Sequence, residues 1–261
     1  MSSKCLAASA VALLLSGCAS APTMPTSEER QALAPSGKLR VCFTFNPAYA
    51  TKDPASGELK GPAIDLGNEL ARRVGVPFEP VPYQSVVALL NSGSKGECDL
   101  YSMGINPDRA RLLDFVTYTQ TELGYLVGKN APIAALSDVD RPGIRVAVLE
   151  QGGSDILLKQ TLKQATLVRA KTIDELIAAV RADKADAMAS VKTILFPASD
   201  QIPGSRILEG RIAVQEFAIG IPKGREVSVR YVRKVVDELK AQGFIQQSVE
   251  KSAVRGLMAA P

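Results

Sequence analysis

The 261-residue chain contains no histidine. That absence removes Ser-His-Asp and Cys-His nucleophilic machinery, histidine general-base catalysis and the usual zinc sites. Cysteine is scarce too: the four are Cys5, Cys18, Cys42 and Cys98, and no two are spaced as a metal motif. Nothing in the composition calls for a cofactor. No Gly-Lys-Ser/Thr phosphate-binding turn occurs, so a transport ATPase has to be another chain. The 31 Lys and Arg against 27 Asp and Glu leave a net charge of +4, scattered without a basic stripe, which argues against a nucleic-acid partner. Past the first residues, no apolar run approaches the roughly 20 residues of a spanning helix. The partners left are small molecules and proteins.

What is present begins with a signal for export. Lys4 is a short positive start, and Cys5 to Leu15 run apolar without a charge. The run ends in Leu15-Ser16-Gly17-Cys18, which resembles the lipobox of bacterial lipoproteins, where cleavage precedes a cysteine whose sulfur receives lipid. Residues 1–17 are accordingly expected to be a signal peptide, with Cys18 as the lipidation site and the bilayer as a partner. An ordinary secretory signal cleaved near Ala19-Ser20-Ala21 is the alternative. One acyl chain holds only marginally, at about 0.8 kcal/mol per buried methylene, so an anchor takes more than one. Residues 18–36, rich in Pro, Ser, Thr and Ala, read as a flexible tether. Ala19, not Asp, after the cysteine resembles outer-membrane sorting in a cell with two membranes.

Strands and helices alternate through the rest, the pattern of an α/β protein with mostly parallel sheets. Strands are expected at residues 39–43, 78–81 and 99–102. A helix over 63–74 stops at Gly75, and a second covers 84–92. A new unit opens near residue 143, where Gly143-Ile144-Arg145-Val146 echoes Gly37-Lys38-Leu39-Arg40-Val41. Likewise Ala185-Asp186-Ala187-Met188-Ala189-Ser190 echoes Cys98-Asp99-Leu100-Tyr101-Ser102. Thr172-Ile173-Asp174-Glu175 fits a capping box. Two extended stretches, 115–129 and 212–222, are either paired strands of one sheet or the two crossings into and out of an inserted lobe; crossings are favoured. The division expected is lobe 1 over 37–118, lobe 2 over 119–216, and a return to lobe 1 over 217–261 with a long helix at 225–242. Cys42 and Cys98 sit beside neighbouring strands, either as a disulfide in an oxidising compartment or as two buried thiols.

The order and spacing of these segments resemble the bacterial extracellular solute-binding proteins of family 3, the amino-acid-uptake type. The likeness runs through Gly37–Val41, Asp65-Leu66 with the helix to Gly75-Val76, Asp99 to Phe115, the strand at Val146, and the C-terminal helix followed by Gly243-Phe244. It implies two α/β lobes joined by hinge strands, with a ligand in the cleft between them. Ile105-Asn106-Pro107-Asp108-Arg109-Ala110-Arg111 resembles the segment whose arginine clamps a ligand carboxylate, and Arg109 falls on that position. A planar guanidinium makes two parallel charge-assisted bonds to a carboxylate. Asn106 as N-cap and Pro107 at the first helical position would fix the turn that carries it.

By the same likeness Ser102 and Gly104 offer a hydroxyl and backbone groups, Phe45 and Asn46 stand where an aromatic covers the ligand, and Tyr49 ranks behind Phe45. Gly152, Gly153 and Ser154 match a turn whose amides open a helix. One position departs from the pattern. Amino-acid binders place an aspartate after the second-lobe strand, and here Val191 aligns with it, so a standard α-amino acid loses its charge partner unless Glu150 or Glu216 substitutes. The expectation is a monomeric binding protein that hands a carboxylate-bearing solute to the permease of an ABC transporter. A dehydratase-like enzyme on the same fold, with Glu150 or Glu216 as general acid, and a ligand-sensing module are the competing readings.

Overall fold

A computed structural model describes residues 24–261. Cys18 and the expected signal peptide lie outside the described residues. The described chain opens with α1 (Ser27–Leu33), β1 (Leu39–Thr44), a short hairpin of β2 (Thr51–Lys52) and β3 (Leu59–Lys60), and α2 (Pro62–Val74). There follow β4 (Phe78–Tyr83), α3 (Val86–Asn91), β5 (Leu100–Gly104) and the single turn α4 (Pro107–Ala110). The long β6 (Leu113–Val127) leads to β7 (Arg145–Leu149), α5 (Gly153–Thr161), β8 (Thr166–Ala170), α6 (Ile173–Arg181), β9 (Ala187–Val191), α7 (Lys192–Gln201) and β10 (Arg206–Ile207). Then β11 (Ala213–Pro222) returns to α8 (Glu226–Ala241), α9 (Phe244–Ser252) and β12 (Leu257–Ala259).

Two parallel three-stranded units, β4-β1-β5 and β9-β7-β8, flank an antiparallel pair of long strands, β11 and β6. The central strands β5 and β9 are buried along their whole length, as parallel strands covered on both faces must be. β6 and β11 pair over ten positions from Leu113–Pro222 to Leu123–Ala213, with a register shift between Phe217 and Ala218 opposite Tyr118. The first half of β11 faces the second unit's end of β6, and its second half pairs with β5. The two alternatives for these stretches therefore collapse into one: they are paired strands of one sheet and also the passage between its halves. A third strand joins them, because β12 pairs with β6 at Thr119–Thr121 and Thr121 Oγ1 donates to Gly256 O at 2.6 Å. Arg255 continues across to α7, pairing with Asp200 and stacking over Phe196 at 5.2 Å.

Local sequence explains the helices that cover the first half. Pro62 starts α2 and Gly75, at φ +73°, caps it in a left-handed conformation that only glycine takes without strain. The amphipathic α8 buries Tyr231, Val232, Val235, Val236 and Leu239 against Leu33, Leu66, Leu70, Val116 and Tyr118. The expected tether is corrected in its second half. Thr26 Oγ1 accepts from Glu29 N at 3.1 Å and Glu29 accepts from Thr26 N at 2.7 Å, a complete capping box, and Leu33 is buried. Arg225 Nη2 and Ser228 Oγ then donate to Ala32 O at 2.6 and 3.0 Å, fastening the end of α1 to the start of α8.

Candidate functional site

A cavity of about 100 Å³ lies between the two parallel units. It sits at the carboxyl ends of β1, β5, β7, β8 and β9, where open α/β sheets place ligands. Thr44, Phe45 and Asn46 leave β1 to form one wall; Gly152, Gly153 and Ser154 open α5 on the other. Val191 and Ser190 close the end of β9, Lys171 and Thr172 precede α6, and Gln215 and Phe217 reach in from β11. Of the expected ligand residues, the fold thus brings together Phe45, Asn46, Gly104, Arg109, Gly152, Gly153, Ser154 and Val191. Ser102 is the exception. Its side chain is fully buried, with its hydroxyl 2.7 Å from Tyr118 Oη, whereas its neighbour Met103 lines the cavity, because successive strand residues face opposite ways.

Arg109 is held as the sequence suggests: Asn106 caps the turn, accepting from Arg109 N at 2.9 Å, and Pro107 is its first residue. Its guanidinium spans the cleft. Nη1 donates to Gly104 O at 2.7 Å in the first half, and Nη2 donates to Gln151 O at 2.8 Å in the second. Arg109 is only 6% exposed, its Nε has no partner, and no carboxylate pairs with it among the described residues. Burial pushes its pKa down, opposed only by the nearby Tyr49. A buried cation without a counter-charge is costly, and an anion entering the cavity relieves that cost.

Tyr49 is more central than its rank predicts. It packs edge-on to Phe217 with ring centroids 4.9 Å apart, and burial raises its phenol to about 12 despite Arg109 and a Gly104 backbone hydrogen bond. The ring is therefore a neutral wall. Phe45 stands edge-on to Phe43 at 6.0 Å. Asn46 Oδ1 accepts from Ala48 N at 2.9 Å, which fixes the loop after β1.

Gln215 escaped the sequence reading. Its Nε2 donates to Ile105 O at 3.0 Å and to Glu216 O at 2.9 Å, so the amide is locked between the halves. A Cβ on Gly153 would fall 2.1 Å from Gln215 Oε1, and one on Gly104 2.9 Å from Nε2. Both glycines are needed for this close approach. The signal was a polar residue on a strand that must cross the cleft, but only the register shows which of Gln215 and Glu216 faces inward. Glu216 is exposed, and Glu150 lies on a neighbouring cavity with Gln151 and Asp155. Neither candidate acid lines the cleft.

On the α5 side, first-turn amides have no intrahelical acceptor, and the N-cap Gly152 has no side chain to satisfy them. The start of α7, capped by Val191, is likewise without a side-chain cap. α6 differs: Thr172 accepts from Glu175 N at 3.2 Å, while Glu175 accepts from Lys171 N at 2.8 Å and not from Thr172 N, so the expected capping box is half formed. Cys42 and Cys98, left open by the sequence, form a disulfide with Cα atoms 5.7 Å apart, a bond suited to an oxidising compartment outside the cytosol.

Comparison with known proteins agrees with this architecture. Residues 39–253 match the family described as bacterial extracellular solute-binding proteins, family 3. The ABC transporter glutamine-binding protein of Bacillus subtilis (strain 168) is 19% identical over 209 residues, 78% of this chain and 76% of that one. The solved solute receptor for L-cysteine of Neisseria gonorrhoeae superposes with a TM-score of 0.77 at 20% identity, covering 88% of this chain and 99% of its own. An ancestral amino-acid-binding protein, a precursor of cyclohexadienyl dehydratase, gives 0.74 at 24% identity, covering 85% and 98%. These solved structures share the two-lobed fold. With cleft, hinge strands and family match in agreement, the chain belongs to the bacterial extracellular solute-binding proteins, family 3.

Proposed function

We propose that this protein captures a small carboxylate-bearing solute between its lobes and delivers it to the permease of an ABC transporter, as a monomer exported and tethered to a membrane through lipid on Cys18. The membrane proposed is the outer one where the cell has two, and the lobes divide as 37–118 with 217–261 against 119–216. The observation that carries the reading is Arg109: a buried guanidinium, facing the cleft, without a carboxylate partner. Phe45 and Asn46, Gly104, and the α5 amides of Gly152, Gly153 and Ser154 complete the proposed ligand shell, with Val191 at its floor. Lobe closure then follows from contacts that exist only when ligand bridges the two walls. With Glu150 and Glu216 off the cleft, the dehydratase reading lacks its general acid.

Native mass spectrometry of freshly purified protein tests this. A small acid should co-purify, and Arg109→Ala should lose it, with affinity falling by at least about tenfold, while the melting transition stays cooperative. Retention of the adduct by the folded variant would remove Arg109 from the site.

A further inference from the structure

We infer that the solute is an organic acid without an ammonium group, such as a 2-oxo, 2-hydroxy or dicarboxylic acid. This rests on the reading that the cleft takes a carboxylate, and it comes from the charge inventory of the walls. Arg109 and Lys171 line the cavity, and no Asp or Glu does among the described residues. Of the nearby acids, Asp174 is exposed on an adjoining cavity with Phe45, Asn46, Thr172 and Ile173 and does not line this one, and three others are committed or turned away. Asp155 is buried on the far side of Gln151, accepting from Gln151 N at 3.0 Å and paired with Arg169 at 2.9 Å. Glu150 borders that same outer cavity, and Glu216 faces out.

The backbone adds to the imbalance. α5 and α7 both begin at the cleft, and neither start is covered by a side chain, so two positive helix ends point where Arg109 already concentrates positive charge. The floor between them is Val191, 7% exposed and apolar. Neutral acceptors line the cavity, among them Thr44, Gln84, Ser154 and Ser190, with Asn46 Oδ1 occupied by Ala48 N and Gly104 O by Arg109, but none of them carries a counter-charge. An ammonium closed into this site would be desolvated without a counter-charge and repelled by two cations, whereas a second carboxylate or carbonyl oxygen meets Lys171 or the helix amides. The rings of Phe45, Tyr49 and Phe217 on the cavity wall are neutral, and a ring face attracts a cation too weakly to stand in for a counter-charge against that repulsion.

Calorimetry on the wild-type protein with matched pairs decides it. Each common L-amino acid is compared with its 2-oxo and 2-hydroxy counterpart, alongside short dicarboxylates. At least one deaminated or dicarboxylic acid should bind about tenfold or more tightly than its amino partner. An amino acid that binds as well as or better than its counterparts overturns the inference and leaves the carboxylate cleft standing. Failure of every carboxylate to bind at millimolar concentration overturns the underlying reading as well. Val191→Asp supplies the reverse test: a variant with a cooperative melt should invert the preference within a pair, and one that still favours the deaminated acid overturns the role given to the missing charge.

Discussion

Each half of the molecule ties its first strand to its third with the same clasp. In the first, Arg40 N, Nε and Nη2 donate to Asp99 at 2.9, 3.0 and 2.8 Å. In the second, Arg145 N, Nε and Nη2 donate to Asp186 at 2.7, 3.1 and 2.8 Å. The strand registers repeat too: Val41 opposes Leu100 as Val146 opposes Ala187. What differs is the surroundings. Asp99 has 1% of its side chain exposed, Arg225 Nη1 holds its carbonyl at 3.1 Å, and the neighbouring Cys42 and Cys98 are bonded. Asp186 is 18% and Arg145 41% exposed, and the positions matching the cysteines are Ala147 and Ala185. One half is a braced platform that carries Arg109; the other is a lighter wall that brings helix ends to it. Braced positioning of the charged group suits a binding site, because less ordering is left to be done when a ligand arrives.

The largest effect expected on this comparison comes from the buried clasp. Asp99→Ala strands Arg40 and should lower stability by about 3–5 kcal/mol, because one member of a buried pair is lost. Asp186→Ala should do less, since water replaces much of what is removed. The second clasp has its own pH signature. Hydrogen bonds from Arg145 hold the Asp186 carboxyl below the usual range, against a smaller opposing effect of burial. A depressed carboxylate stabilises above its unfolded pKa of about 3.9 and loses that contribution as pH falls through the lower folded value. Chemical melts across the acid range should therefore show Asp186→Ala converging on wild type below about pH 4. Equal losses for the two variants at neutral pH would erase the asymmetry.

Next in size is the disulfide. Replacing Cys42 and Cys98 together by Ala gives the first half the residues of the second. The bond closes a separation of 56 residues, so its loss should lower stability by about 2–4 kcal/mol. Denaturant melts with and without reductant read the same quantity on the wild type. Coincident curves would strike the bond from the list of differences.

The clasps show what a sequence makes legible. Both arginines and both aspartates stand in the echoed segments, and the α/β order, the Asn106 cap and the long C-terminal helix follow from periodicity and capping residues. The misses share a cause: each is settled by tertiary geometry. Ser102 lies on a strand buried on both faces, where no polar alternation tells which side chains face the cleft. Gln215 depends on the register of β11 against β6, and Tyr49 on a loop whose length hides its alignment. α1 is seven residues inside a Pro- and Ser-rich stretch, too short to hold alone, and its order comes from the packing of Leu33 and the bonds to Ala32.

The smallest expected effect on stability tests the lighter wall at the point where it meets the platform. Gly153→Ala keeps the α5 backbone, whose φ at that position suits any residue, and alanine favours a helix by up to about 1 kcal/mol over glycine. Its methyl carbon, however, would fall 2.1 Å from Gln215 Oε1. Gln215 is bonded to Ile105 O and Glu216 O, so yielding means breaking those bonds or holding the walls apart. The melt should shift by about 1 kcal/mol or less, while solute affinity falls by about tenfold or more, because the closed state is disfavoured and the open state is not. Pairing the change with Gln215→Ala should restore most of the affinity. If the double variant binds as weakly as Gly153→Ala alone, the contact between wall and platform does not govern closure, and the glycine serves the α5 amides instead.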